Sequence, residues 1–353
     1  MPIYRLPPYV LGPKVYMAND LGDVIDWGLK AHNIPKHHLE TEGEGIVVGV
    51  ADTGRPDHDD LNDNILASRN FSESHTDEDT QGHSTHVCGT IAAIRNDKGV
   101  IGVAPKVKLV TAKVLGDDGS GTNYGVAQGV RWLVNKGCDI INMSLGGPHD
   151  PMISAAVQHA VNEGVFVICA AGNEGFVPGH NTVGYPAKLE STFAVASYNK
   201  AGRLSEYSSR GNEVHIAAPG EDILSTWPGG GYRRISGTSM ASPFVAGVVA
   251  LLLSSQNKAM TEGCPADDFV ANNADLIRLA STISDDRGPV GHDEGFGWGV
   301  INVDKLLKRS STGDANTNIS VLPPPTAWAH STPPNEPAEG KDVGQHIHIR
   351  INT

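Results

Sequence analysis

The chain has 353 residues, 39% hydrophobic and 19% charged, with a formal net charge of -13 at pH 7. That length and composition support one substantial core with appendages, and the acidic balance argues against nucleic acid or an anionic membrane as the main partner. No stretch reaches the ~18 consecutive apolar residues of a membrane span, and Cys88, Cys138, Cys169 and Cys264 show no metal-ligand spacing, so they read as free thiols.

The first twenty residues, MPIYRLPPYVLGPKVYMAND, are broken by prolines and lack the apolar run of an export signal, which predicts a cytoplasmic protein. From Gly45 onward, apolar runs rich in β-branched residues alternate with helical patterns. IVVGVA (Ile46 to Ala51) reads as a buried strand that delivers Asp52 at its carboxyl end, where open α/β sheets carry their sites. After Gly82, the residues from His83 to Ile94 have helical composition, with His83 at the helix start. KLVTAKV, CDIINMS, VFVICA, TFAVAS and VHIAA are further strand candidates. Two helices fall between them: one places Val126, Val130, Leu133 and Val134 on one face, the other Ile153, Ala156, Val157 and Ala160, and Gly137 and Gly164 stand at their C-caps. This alternation predicts an α/β fold, a three-layer α/β/α arrangement with a mostly parallel central sheet.

SMASPFVAGVVALLLSS is apolar nearly all round and reads as a buried helix opened by Ser239. After Leu307 the composition turns to Pro, Ser, Thr and Asn, so residues 309–353 read as a linker. They end on GQHIHIRINT, whose alternation is that of a strand, with His346 and His348 on its polar face rather than as a metal pair.

Asp52, His83 and Ser239, in that chain order, match one known arrangement of a hydrolytic triad and point to acyl transfer. A serine hydroxyl needs a base to attack a carbonyl, and the histidine needs a carboxylate to fix its tautomer. Ser239 at a helix N-terminus sits where backbone N–H groups favour developing negative charge, and Asn173 in CAAGNEG offers a side-chain donor to the same oxyanion.

The strings ADTG, GHSTHVCGTIAA, CAAGNEG and GTSMASP, with SLGG (Ser144 to Gly147) and TVGYP, resemble the subtilisin-type serine proteases over residues 24–308. The resemblance implies a serine endopeptidase working through an acyl-enzyme on protein and peptide substrates. It implies a substrate strand paired with SLGG and a pocket lined by Ser144, Leu145, Gly146, Gly147, Ala171, Gly172, Glu174 and Gly184. Gly146, Gly172 and Gly184 would leave that pocket roomy for a large apolar side chain, and Glu174 at its rim would also tolerate Lys or Arg. It implies calcium held by Asp60, Asn96 and the carbonyls of Ile94, Lys98 and Val100. RLPPY (Arg5 to Tyr9) looks like the short N-terminal extension of the intracellular subtilisins, which lies across the cleft and makes the protein a zymogen. The expected division is an inhibitory extension in residues 1–22, a catalytic domain in 23–308 and a tail in 309–353; a homodimer stays open.

Three departures stand out. Ser84 follows the histidine where the family usually has Gly, Asn123 replaces a common aromatic over a more distant subsite, and Phe244 replaces a frequent His. A peptide ligase and a catalytically silent binding protein are the rival readings. The absence of a large insertion between Asp52 and His83 disfavours the first, and the intact triad the second.

Overall fold

The computed structural model describes residues 3–15, 22–264 and 269–308. The linker and strand-like tail expected in residues 309–353 lie outside the described residues, as do residues 1–2 and 16–21 of the extension.

The elements run β1 (Ile3–Arg5), β2 (Val10–Val15), α1 (Trp27–Ala31), α2 (Ile34–His37), β3 (Val47–Asp52), β4 (Ile65–Asn70), α3 (His83–Ala92), β5 (Lys108–Lys113) and β6 (Ser120–Thr122). Then come α4 (Asn123–Asn135), β7 (Ile140–Met143), α5 (Pro151–Asn162), β8 (Phe166–Ala170), β9 (Phe193–Tyr198), β10 (Val214–Pro219), β11 (Ile223–Trp227) and β12 (Gly231–Ser236). The chain continues through α6 (Thr238–Thr261), α7 (Asn273–Leu279), β13 (Ser284–Asp285), β14 (Val300–Ile301) and α8 (Val303–Leu307).

The central sheet has nine strands in the order β13-β14-β10-β9-β8-β7-β3-β5-β4, all parallel except the β13–β14 pair. Successive side chains on its strands point to opposite faces. Val48, Val50, Ile140 and Ile168 accordingly join the core that contains α3 and α6, whereas Ala51, Ile141, Val167 and Cys169 join the core under α4 and α5. Burial on both faces explains why these strands read as continuous apolar runs rather than alternating ones. Gly137 and Gly164 follow α4 and α5 with φ of 72° and 81°, the left-handed conformation that ends a helix.

α6 is long and apolar enough to cross a bilayer by length and composition, but 89% of its most apolar window is buried inside the protein, where it packs on β7–β10 and α3. Ser239 stands at its second position and is buried. α3 is tied to the β11–β12 hairpin, which the sequence reading did not anticipate. Ser225 Oγ donates to the His86 carbonyl (2.8 Å) and Thr226 Oγ1 to that of Thr85 (2.7 Å). The two elements approach so closely at Gly89 that a Cβ there would lie 2.2 Å from Thr226 Oγ1.

Candidate active site

β3 ends at Asp52, α3 begins at His83 and Ser239 is the second residue of α6; all three side chains are fully buried. His83 Nδ1 lies 2.8 and 3.0 Å from the Asp52 carboxylate oxygens. Because both oxygens only accept, the proton sits on Nδ1 and Nε2 is left with its lone pair. Nε2 has no partner among the described residues. The Ser239 hydroxyl instead donates to the Ser144 carbonyl at 3.4 Å. The Ser239 hydroxyl and Nε2 are thus not hydrogen-bonded to each other here, and forming that bond takes the hydroxyl proton off Ser144 O.

How α3 is held in place involves residues the sequence reading missed. Its N-cap is Gly82, which offers no side chain, so the helix's first N–H groups need partners from elsewhere. Gln81 Oε1 takes that of His83 (2.8 Å), Thr53 Oγ1 that of Ser84 (3.0 Å) and Asp79 Oδ2 that of Thr85 (2.7 Å). Buried Asp79 also accepts from Gly82 N, Thr53 Oγ1 and Thr85 Oγ1. Burial pushes its carboxyl up, opposed by these donors. The Thr53 N–H donates to Asp52 Oδ1 (2.7 Å), and its carbonyl accepts from the fully buried Lys113 ammonium, which also bonds the Glu78 carbonyl (3.0 Å). The available signals were a Lys inside an apolar strand and an Asp just before a helix whose cap position is Gly.

Asn173 lies in the loop after β8, and Thr238 fixes its side chain by donating to Oδ1 from both N (2.9 Å) and Oγ1 (2.8 Å). Its Nδ2 is thereby aimed into the cleft, where it donates to the Pro8 carbonyl at 2.7 Å. The N-terminal segment occupies this cleft. β1 pairs antiparallel with β6, and Arg5 exchanges both backbone bonds with Gly146 (3.1 and 3.0 Å). The Leu6 N–H reaches Gly119 O (3.0 Å), and β2 extends the β11–β12 hairpin. Tyr4 is fully buried over Gly147, with its hydroxyl on Pro148 O (2.8 Å). The Tyr9 ring lies 5.3 Å from the His83 ring, and its hydroxyl accepts from Gln81 Nε2.

The residues expected to form the specificity pocket come from three segments that bond one another: Gly147 and Tyr185 exchange backbone bonds (3.0 and 3.1 Å), and Gly184 N reaches Ala171 O (3.1 Å). Gly146 and Gly184 leave room, since a Cβ on either would meet only one atom near 4 Å. Gly172 does not serve in that way. Its φ is 115°, and a Cβ there would press against the Glu174 carboxylate at 2.5 Å, so its missing side chain makes space for the turn. The Leu145 side chain belongs to the core under α4 and α5, leaving its backbone for the cleft. Glu174 is exposed and accepts from Ser209 Oγ at 2.7 Å.

Ser84 is fully buried, with its hydroxyl 3.9 Å from Cys88 Sγ. Asn123 is buried and donates to Asp150, the N-cap of α5. Phe244 packs against His32 in the core (5.0 Å between rings).

The five residues expected to hold calcium bond one another through Ile94 N on Asp60 O (2.9 Å) and Lys98 N on Asn96 Oδ1 (3.2 Å). Asp60 is fully buried, and its carboxylate accepts from Asn96 Nδ2 (3.1 Å), Val100 N (3.3 Å) and the Tyr232 hydroxyl (2.9 Å). The carbonyls of Ile94, Lys98 and Val100 accept no hydrogen bond from any described residue. One buried carboxylate with uncommitted carbonyls is an oxygen donor set that fits a hard cation, provided the Asn96 amide turns its oxygen inward.

Residues 43–299 match the subtilase family. The chain is 44% identical over 253 residues to an intracellular serine protease of Paenibacillus polymyxa, covering 69% of this chain and 76% of that one. It is 42% identical over 291 residues to subtilisin E of Bacillus subtilis (82% and 72%), and 40% over 265 residues to the major intracellular serine protease of the same organism (72% and 82%). The chain belongs to the subtilase family of serine endopeptidases. It is a hydrolase of peptide bonds.

Proposed function

We propose that this chain is a cytoplasmic endopeptidase kept inactive by its own N-terminal segment, with Ser239 as nucleophile, His83 as general base and Asp52 fixing the imidazole tautomer. In the reaction, the Ser239 proton passes to His83 Nε2 while its oxygen attacks the substrate carbonyl. Asn173 Nδ2 and the Ser239 N–H stabilise the oxyanion, and the protonated imidazole then gives its proton to the leaving amine. Water releases the acyl group by the reverse relay.

The observation that carries the proposal is the Pro8 carbonyl on Asn173 Nδ2, at the end of a strand paired through Arg5 with Gly146. The extension thus mimics a substrate. Pro7 and Pro8 have no N–H to give the Ser144 carbonyl, which holds the Ser239 hydroxyl instead, and Tyr9 covers His83. A residue with an N–H at that point of a true substrate would displace the serine toward the imidazole. The space beside Gly146 and Gly184 supports a preference for large apolar residues before the scissile bond. Calcium at Asp60, Asn96 and the carbonyls of Ile94, Lys98 and Val100 would neutralise a buried carboxylate and pin the loop after α3. The relatives named intracellular support the cytoplasmic assignment.

The test is deletion of residues 1–20. Hydrolysis of a chromogenic peptide should rise severalfold; equal activity of the two forms refutes autoinhibition.

A further inference from the structure

We infer that Asp79 is a positioning residue, locking Asp52 and His83 into one rigid unit through Thr53. The inference rests on the reading of Asp52 and His83 as the proton relay and adds what holds that relay in register.

The two relay residues sit on separate elements, the end of β3 and the start of α3. Their mutual bond cannot alone fix either backbone. Thr53 supplies the link on the strand side: its N–H is on Asp52 Oδ1, its carbonyl is held by buried Lys113, and its hydroxyl both donates to Asp79 Oδ1 (2.8 Å) and accepts the Ser84 N–H. Asp79 supplies it on the helix side, taking the Gly82 and Thr85 N–H groups that flank His83. The hydrogen bonds thus close a ring running Asp52, Thr53, Asp79, first turn of α3, His83 and back to Asp52. A carboxylate is the right group here for two reasons. Both its oxygens accept, which four donors on two sides require, and its negative charge stands at the positive end of a ten-residue helix. Asparagine at this position has one accepting oxygen and an NH2 that would face a backbone N–H on either side, so at least one of the four bonds is lost and a threonine hydroxyl must reverse.

The loss of register should be read at the imidazole rather than in overall stability. In the full-length chain, the Nδ1 proton of His83 on Asp52 is expected as a low-field proton resonance. In Asp79→Asn and Thr53→Val that resonance should shift upfield or exchange at least tenfold faster, while Thr53→Ser, which keeps the hydroxyl, should restore it. With residues 1–20 removed from every variant, fluorophosphonate labelling of Ser239 should fall at least tenfold in the first two and recover in the third. Thr53→Val is nearly isosteric and decides the matter if Asp79→Asn does not fold. An unchanged resonance and a labelling rate within twofold of the parent in folded Thr53→Val overturn the positioning role. A chain lacking residues 1–20 whose Ser239 does not label at all overturns the relay reading instead.

Discussion

Tyr4→Ala is the sharpest probe of how the N-terminal segment is anchored. The side chain is fully buried over Gly147 against the core that includes Leu115, Val126 and Ile153. A buried tyrosine removes roughly 150 Å² from water, worth about 4 kcal/mol at ~25 cal/mol per Å². Ordering the side chain costs about 1 kcal/mol, leaving about 3 kcal/mol for seating the segment. Each 1.4 kcal/mol is a factor of ten, so truncation should raise the open fraction roughly 100-fold. The assay is the rate at which a fluorophosphonate labels Ser239 in the full-length chain. Tyr4→Ala should approach the rate of the chain lacking residues 1–20, while Ile3→Ala, at a position 46% exposed, should stay within twofold of the parent. A parental rate for Tyr4→Ala beside a fast deletion variant refutes Tyr4 as the anchor.

Removing calcium and lowering pH should each weaken the fold in a distinct way. Against calcium at 100 times its Kd, chelation should cost about 2.7 kcal/mol, seen as a fall of several degrees in Tm with EDTA; an unchanged melt removes the Asp60 site. Burial holds His32, His86 and His215 neutral, with pKa values lowered to about 4, about 3 and about 4. The unfolded chain protonates these imidazoles near 6.5, so their stabilisation is complete above that pH and is lost as pH falls toward the folded values. By pH 5 each contributes about 2 kcal/mol of lost stability. Urea midpoints at pH 7, 6 and 5 check this, and a flat profile contradicts it.

The relay and the sheet were legible because both depend on local strings. Asp52 terminates an apolar β-branched run and His83 and Ser239 open helices, so short windows carried the chemistry and the layering together. The β11–β12 hairpin and the two extension strands were not legible. β1 and β2 are short, and their partners lie more than a hundred residues away, at Ser120–Thr122 and Gly231–Ser236, so no periodicity within the segment announces them. Asp79 escaped notice because its meaning lies in which donors converge on it, and only the folded chain brings Thr53 and Thr85 to the same carboxylate. Gly172 shows the converse error. A glycine beside a pocket was read as room for a ligand, whereas its positive φ and the Glu174 carboxylate already use the space.

The central claim is that folding makes Ser239 a nucleophile through His83. The most direct measurement is mass-spectrometric mapping of the fluorophosphonate adduct on the chain lacking residues 1–20. The account predicts one adduct, on Ser239, nearly abolished by His83→Ala. No adduct at Ser239, or one that forms equally fast without the imidazole, contradicts it.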